Sequence, residues 1–131
     1  MAKPDGNLIR AMGSFGGGLG ANGEVCGAVI GGLAVLGLKF SRSEDDENED
    51  LRMWSFAREL LWRFANEITK GSIYCRDIAK VDWTNMERIK RFYKSDALIE
   101  CKRITGETAR LVGELLDRAE EVKPLVFTKN T

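Results

Sequence analysis

The chain has 131 residues, a length typical of one domain. Its 20 basic and 20 acidic residues give a net charge of zero, so no overall field attracts it to nucleic acid or to an anionic membrane. Histidine is absent, which excludes a Ser-His-Asp triad, a Cys-His pair, and zinc or haem held by histidine. Because no pattern assembles a nucleophile with a base, the sequence leaves open whether the protein is an enzyme.

The two ends of the chain are expected to be loose tails, at residues 1–8 and 124–131, around one helical domain that spans residues 1–131. The first residues, MAKPDG, contain no apolar segment of the kind that a secretory signal needs. We therefore expect a cytoplasmic protein whose thiols are reduced at rest.

Glycine is concentrated near the start, since eleven of the 14 glycines lie at or before Gly37. The stretch 14–23, SFGGGLGANG, predicts a loop or tight turn, because its backbone entropy is too high for a helix. Asn22 or Gly23 is then expected to cap a helix that has Glu24 in its first turn.

The first predicted core helix covers residues 24–40 and is apolar on all sides, which is typical of a helix inside a bundle. It is too short to cross a bilayer. Gly27 and Gly31 lie one turn apart and would let a neighbouring backbone approach closely. A buried strand over residues 25–38 is the alternative, because short apolar runs are ambiguous.

Apolar residues at three- and four-residue steps predict two further long helices, over residues 50–70 and 96–122. The acidic run 41–50 is interpreted as a solvated loop. On the helix over 50–70, Trp54, Trp62 and Phe64 are interpreted as core rather than as a cofactor box.

Shorter helices are expected near Cys75, where Ser72 could provide a cap, and over residues 82–94. The basic residues of the second of these helices could contact phosphate, but a solvated face is the preferred interpretation; they are Arg88, Lys90, Arg91 and Lys94. The predicted fold class is therefore all-α, a small helical bundle with a glycine-rich loop before the first core helix.

Three cysteines, Cys26, Cys75 and Cys101, are the candidate functional groups. Their spacing fits no CxxC pattern, and spacing alone favours small buried hydrophobes. Cys26 and Cys75 are expected in the first turns of helices, where the dipole stabilises a thiolate, and Arg76 would act in the same direction. Cys101 lies on the apolar stripe of the last helix, so the three sulfurs could converge inside a bundle.

Three segments, in order, resemble the C-GCAxxG-C-C family, which is described as a family of putative redox-active proteins. They are FGGGLG at 15–20, CGAVIG at 26–31 (Cys26, Gly27, Ala28 and Gly31 among them) and GSIYCR at 71–76. Cys101 matches the last family cysteine, and the resemblance covers roughly residues 9 to 120. It implies redox activity of the motif cysteines, through ligation of an iron–sulfur cluster or another metal, or through thiol–disulfide exchange.

Split-Soret cytochromes contain a related domain, and that likeness implies an iron–sulfur centre. Haem is not carried over, because this chain has no CxxCH sequence. The family has four cysteines, the first of them on a helix before the glycine-rich loop, and this sequence has no counterpart to it. The fourth ligand of a cluster would then come from Asp, Glu, water, a second subunit or another protein.

Two kinds of partner are expected. Without the helix that holds the first family cysteine, apolar surface beside Cys26 and Gly31 would favour a homodimer. Redox activity implies an electron-transfer protein partner, whereas nucleic acid and membrane are not expected. The competing hypothesis is a non-catalytic helical interaction module in which the cysteines are only structural.

Overall fold

The computed structural model of the chain describes residues 4–126 and confirms the all-α class. Within those residues the only β-pairings are two isolated bridges, so the alternative of a buried strand over 25–38 is wrong. A 3-10 turn, Gly13–Phe15, follows the first helix, and a π-helical turn, Phe64–Ile68, continues the third. The α-helices are α1 (Gly6–Met12), α2 (Gly27–Phe40), α3 (Arg52–Arg63), α4 (Cys75–Ile78), α5 (Met86–Tyr93) and α6 (Asp96–Glu120). None of these helices is long and apolar enough to span a membrane.

Helix α2 is the centre of the bundle, because it packs against both α3 and α6. Its Val29 and Leu36 are fully buried, together with Leu60 of α3, Phe64 of the π turn and Leu115 of α6. Burial of each such side chain contributes roughly 1.5–3 kcal/mol. A smaller cluster, built around Cys75, Ala79 and Phe92, lies where α4, α5 and the start of α6 meet.

Gly32 provides the close helix packing that was expected at Gly27 and Gly31. A Cβ atom at Gly32 would lie 3.0 Å from a methyl group of Leu60 and 3.1 Å from one of Val112. A Cβ atom at Gly31 would meet nothing within 4 Å. The expectation of close helix packing at Gly31 is therefore wrong, because Gly32 and not Gly31 faces α3 and α6.

Helix α2 starts later than expected, since Cys26 and not Asn22 or Gly23 is its N-cap residue. The reason is that Gly23 still has a positive φ of 73° and that Val25 forms an antiparallel bridge with Tyr74. The bridge holds the backbone of Val25 in an extended pairing, so helical hydrogen bonding begins only after it.

The aromatic residues of α3 and of the π turn that follows it are divided between core and surface. Phe64 is fully buried, as expected, but Trp54 and Trp62 are 52% and 62% exposed, so the core interpretation is wrong for both tryptophans. The buried line instead includes Phe56 and Leu60. Periodicity marks a broad apolar face on this helix, and the positions of α2 and α6 decide which part of that face is covered.

Hydrogen bonds connect parts of both ends of the described chain to neighbouring segments. The expectation of loose tails is therefore wrong for residues 6–8 and 124–126. Residues 6–8 belong to α1, whose N-terminus is capped by the Asp5 carboxylate accepting from Asn7 N at 2.9 Å. At the other end, Leu51 N donates to Leu125 O at 2.7 Å, and Asp50 bridges to Val126. Residues 1–3 and 127–131 lie outside the described residues.

Arg52 joins α3 to the end of α6. Its guanidinium lies 2.8 Å from the Asp50 carboxylate and donates to the carbonyl oxygens of Ala119 and Val122, both at 2.8 Å. Burial alone would raise the pKa of the Asp50 carboxyl, but the hydrogen bonds from Arg52 outweigh it and hold that pKa below its ordinary value. The pair therefore satisfies carbonyl groups that the end of a helix leaves free.

The packing at Gly32 can be tested with the substitution Gly32→Val, which would push methyl groups into Leu60 and Val112. We expect it to lower the free energy of unfolding by about 1–3 kcal/mol, measured by urea denaturation. Gly37→Val is the matched control on the same helix, because a Cβ atom there meets nothing within 4 Å. The control should change stability by no more than about 0.5 kcal/mol. Equal losses in the two variants would contradict the assigned packing.

Candidate functional site

The glycine-rich loop forms a left-handed turn in which residues 17–21 all have φ between 62° and 74°. Two of these residues, Leu19 and Ala21, are not glycine, and a left-handed conformation costs them about 1–2 kcal/mol each. Backbone hydrogen bonds hold the turn in place: Gly23 N donates to Gly17 O at 3.0 Å, and Glu24 N donates to Gly18 O at 2.9 Å. Strain of this kind persists only where the surrounding structure enforces it.

A short antiparallel pairing connects the segments that carry Cys26 and Cys75. Cys26 N donates to Ile73 O at 2.8 Å, and Cys75 N donates to Glu24 O at 2.7 Å. These bonds flank the bridge between Val25 and Tyr74. Two cysteines that are far apart in the sequence are thus fixed at neighbouring positions by their own backbone.

Gly18 is the point at which the left-handed turn touches this pairing. A Cβ atom at Gly18 would lie 2.6 Å from Cys75 Cβ and 2.6 Å from both the amide nitrogen and the carbonyl oxygen of Glu24. No side chain fits in that space, so the backbone of the loop lies directly against Cys75. Gly27 has a related role, because a Cβ there would lie 3.1 Å from Phe15 O in the same loop rather than against a helix.

The structure brings the three candidate cysteines together around one cavity of about 450 Å³. Cys26 caps α2 and is half-buried, Cys75 is the first residue of α4 and is buried, and Cys101 lies in the second turn of α6 and is half-buried. Cys26 packs against the main core, whereas Cys101 packs against the smaller cluster that contains Cys75. The cavity therefore lies at the junction of the two clusters.

The walls of this cavity are neutral. They come from the glycine-rich loop, the first turns of α2, helix α4, the end of α5, and α6, and none of the described residues that line it has a charged side chain. Gly27, Ala28 and Gly31 of the CGAxxG segment all line it. Because nothing would meet a side chain at Gly31, that residue leaves space in the cavity instead of admitting a helix.

The environment of Cys26 does not favour the thiolate, contrary to the expectation from its helix position. Burial raises the pKa of Cys26, and the backbone amides of Ala28 and Val29 only partly oppose it. Burial also raises the pKa of Cys101, and the neighbouring Cys26 and Cys75 add to the rise. Negative charge on a neighbouring sulfur would thus disfavour the thiolate of Cys101.

The contacts of Arg76 are with a carboxylate and an aromatic ring. Its guanidinium lies 3.1 Å from the Glu24 carboxylate and 5.2 Å from the centre of the Tyr74 ring, and it does not line the cavity. The role of Arg76 in stabilising a thiolate stays a prediction. Its observed contacts are structural, because they connect residues beside and within the bridge between Val25 and Tyr74.

Trp83 is a cavity residue that sequence reasoning missed. Its indole N–H is buried and has no hydrogen-bond partner among residues 4–126, and its ring packs edge-on against Phe92 at 5.3 Å. A buried donor of this kind usually has a partner. No periodic pattern marks Trp83, because it lies between α4 and α5. The signal in the sequence is the residue type, a large aromatic side chain in a short connection between helices.

Within the described part of the chain, no group of three or more Cys, Asp or Glu side chains is arranged to hold a metal ion. The three thiols surround a space and do not meet at a point. To bind a single metal ion, the three sulfurs would have to move closer together. A group of several atoms that is ligated by thiolates would instead fill the cavity between them. The soft sulfur donors and the free indole N–H fit such a group.

The model of the C-GCAxxG-C-C family, which carries the description "putative redox-active protein", matches residues 1–115. No curated protein and no solved structure matches the chain.

The contact between the loop and Cys75 can be tested with Gly18→Ala. This substitution combines a left-handed alanine with a clash at 2.6 Å, and we expect a loss of about 3 kcal/mol or more in the free energy of unfolding. Gly20→Ala is the matched control, with a similar φ of 63° but no contact closer than 3.6 Å. It should lose only about 1–2 kcal/mol. If the two variants were equally stable, the loop would not lie against Cys75.

The raised thiol pKa values can be tested by alkylation with iodoacetamide across a pH series, followed by mass spectrometry of each cysteine peptide. Because only the thiolate reacts, we expect half-maximal rates at Cys26 and Cys101 at a higher pH than in the unfolded chain, whose cysteines have a pKa of about 8.5. The pH of the midpoint does not depend on access to the thiol, which changes only the maximal rate. A midpoint at or below that of the unfolded chain would contradict the assigned environment.

Proposed function

The chain belongs to the C-GCAxxG-C-C family, and from this premise we propose that it is an electron-transfer protein whose Cys26, Cys75 and Cys101 ligate an iron–sulfur cluster. The observation that supports this most is the single neutral cavity lined by all three thiols. Family membership supports redox activity in general, and the cavity supports ligation as its chemical form.

The electrostatics of the cavity favour ligation over free thiol chemistry. A nearby positive charge lowers the pKa of a thiol and so raises its thiolate fraction for attack on disulfides at neutral pH, and none of the described lining residues supplies one. The raised pKa values of Cys26 and Cys101 act in the same direction. A bound metal supplies that charge itself and deprotonates its thiol ligands, so a neutral cavity suits a metal-containing group.

The residues of the chain would have distinct tasks. The three cysteines supply sulfur ligands from three separate helices, and such a cluster, when bound, provides one-electron chemistry. The free indole N–H of Trp83 is available as a hydrogen-bond donor to an acceptor in the cavity. Phe92 and Trp83 form an apolar wall that limits water, and water access is one of the factors that set a reduction potential.

The fourth ligand of the proposed group would come from outside the described walls of the cavity, because no carboxylate lines it. The fourth ligand would then be supplied by water, by a second copy of the chain or by an electron-transfer partner. The homodimer and the electron-transfer partner thus stay predictions, and both are consistent with a cavity that opens to solvent.

The alternative of purely structural cysteines is less well supported. Cysteines that serve only as small hydrophobes pack against neighbours, and close packing leaves few voids larger than a water molecule. Here all three border a space of about 450 Å³, and Gly31, where a Cβ atom would meet nothing within 4 Å, helps to keep it open.

Anaerobic reconstitution with ferrous iron and sulfide tests the proposal. We expect the wild-type chain to retain iron and sulfide after desalting and to gain visible absorption that reductant bleaches. Cys26→Ser, Cys75→Ser and Cys101→Ser should each reduce the retained iron several-fold. Thr105→Ser is the matched control, since Thr105 lines the same cavity without a thiol.

Two results would contradict the proposal. One is a wild-type chain that retains no more iron than the triple serine variant. The other is a reversible disulfide between two of the three cysteines in the absence of iron, together with no visible absorption after reconstitution; this would favour thiol–disulfide exchange.

A further inference from the structure

A second pocket, of about 380 Å³, lies behind the cysteine cavity. Ala79 and Phe92 line both spaces, so the two are separated by the thickness of these side chains. Its other lining residues include Lys80, Arg88 and Arg91, which are all exposed to solvent. We propose that this pocket binds the phosphate group of a small molecule, an inference that does not depend on the proposed cluster.

The charge of the pocket is the first support. Lys80 follows α4, and Arg88 and Arg91 lie three residues apart on one face of α5. No acidic residue is among the described lining residues, and none of these three cations takes part in an ion pair within residues 4–126. Asp82 feels the charge of Arg88, but its carboxylate accepts hydrogen bonds from Thr84 first.

The start of α6 is the second support. Ser95, the N-cap residue of this 25-residue helix, lines the pocket, and so does Ala97. The Ser95 hydroxyl donates to Phe92 O at 2.8 Å and makes no capping bond, so no side chain caps the first amides of the helix. The Leu98 amide donates to Ser95 O at 3.3 Å, and Asp96 in the first turn offsets part of the dipole. The amides before Leu98, beside three cations, still favour an oxyanion.

A small phosphate compound fits these observations better than an acidic protein surface does. The three cations line one open pocket together with the start of α6. Guanidinium groups bind phosphate through paired hydrogen bonds, and two of them on one helix face give that geometry. A long nucleic acid is disfavoured by the zero net charge of the chain.

Titration of the folded protein with pyrophosphate, by calorimetry and by amide NMR shifts, tests this site. We expect saturable binding, with the largest shifts at Lys80, in α5 and at residues 95–98. Arg88→Gln and Arg91→Gln should each weaken it by about tenfold or more, because each removes a charge-assisted contact. Lys90→Gln is the matched control, with the same loss of charge on the same helix outside the pocket. All three are exposed positions, and an unchanged thermal midpoint would show that the fold is retained.

Three outcomes would overturn the inference. The first is no saturable pyrophosphate binding at low salt. The second is an equal loss of affinity in Lys90→Gln and Arg91→Gln, which would indicate general attraction of anions. The third is binding of poly-glutamate at these residues with no binding of pyrophosphate, which would assign the surface to an acidic protein instead.

Discussion

The close contact between Gly18 and the Cys75–Glu24 pairing is the constraint on which the rest of the site depends. It requires a residue without a side chain, and it requires the loop to approach in a left-handed turn. Once the loop is fixed there, the bridge between Val25 and Tyr74 determines where α2 begins, and Cys26 becomes its cap. A feature of local backbone geometry thus places two distant thiols beside one cavity, and α6 brings Cys101 as the third.

The cavity combines sulfur donors with neutral walls, and this combination explains its thiol chemistry. Burial, and to a lesser extent proximity to neighbouring cysteines, raises the pKa values of Cys26 and Cys101, so these two thiols are disfavoured as thiolates at neutral pH. The described lining residues supply no positive charge that would favour their ionisation, and Arg76 instead pairs with Glu24 outside the cavity. The cations of the neighbouring pocket lie beyond Ala79 and Phe92, which separate a charged pocket from a neutral one.

The fold could be predicted from the sequence to the level of its helices, because apolar periodicity reports which segments are helical. Periodicity does not report how each helix is rotated about its axis. The sequence therefore did not reveal that Gly32, and not Gly31, lies at the packed face, or that Trp54 and Trp62 are exposed. The cysteines were found by residue type and by motif, and their order along the chain suggested convergence. Trp83 and the left-handed turn were not found, since both depend on contacts between segments that no local pattern encodes.

The central claim is that the three thiols share one cavity bounded by the glycine-rich loop. Long-wavelength anomalous diffraction from crystals of the unmodified protein tests it most directly, because it locates each cysteine sulfur without any bound group. We predict all three sulfur peaks on the walls of the one space between the loop, α4 and α6, with Cys75 next to Gly18. Sulfur peaks that lie in separate regions of the core, with closely packed side chains between them, would contradict the account.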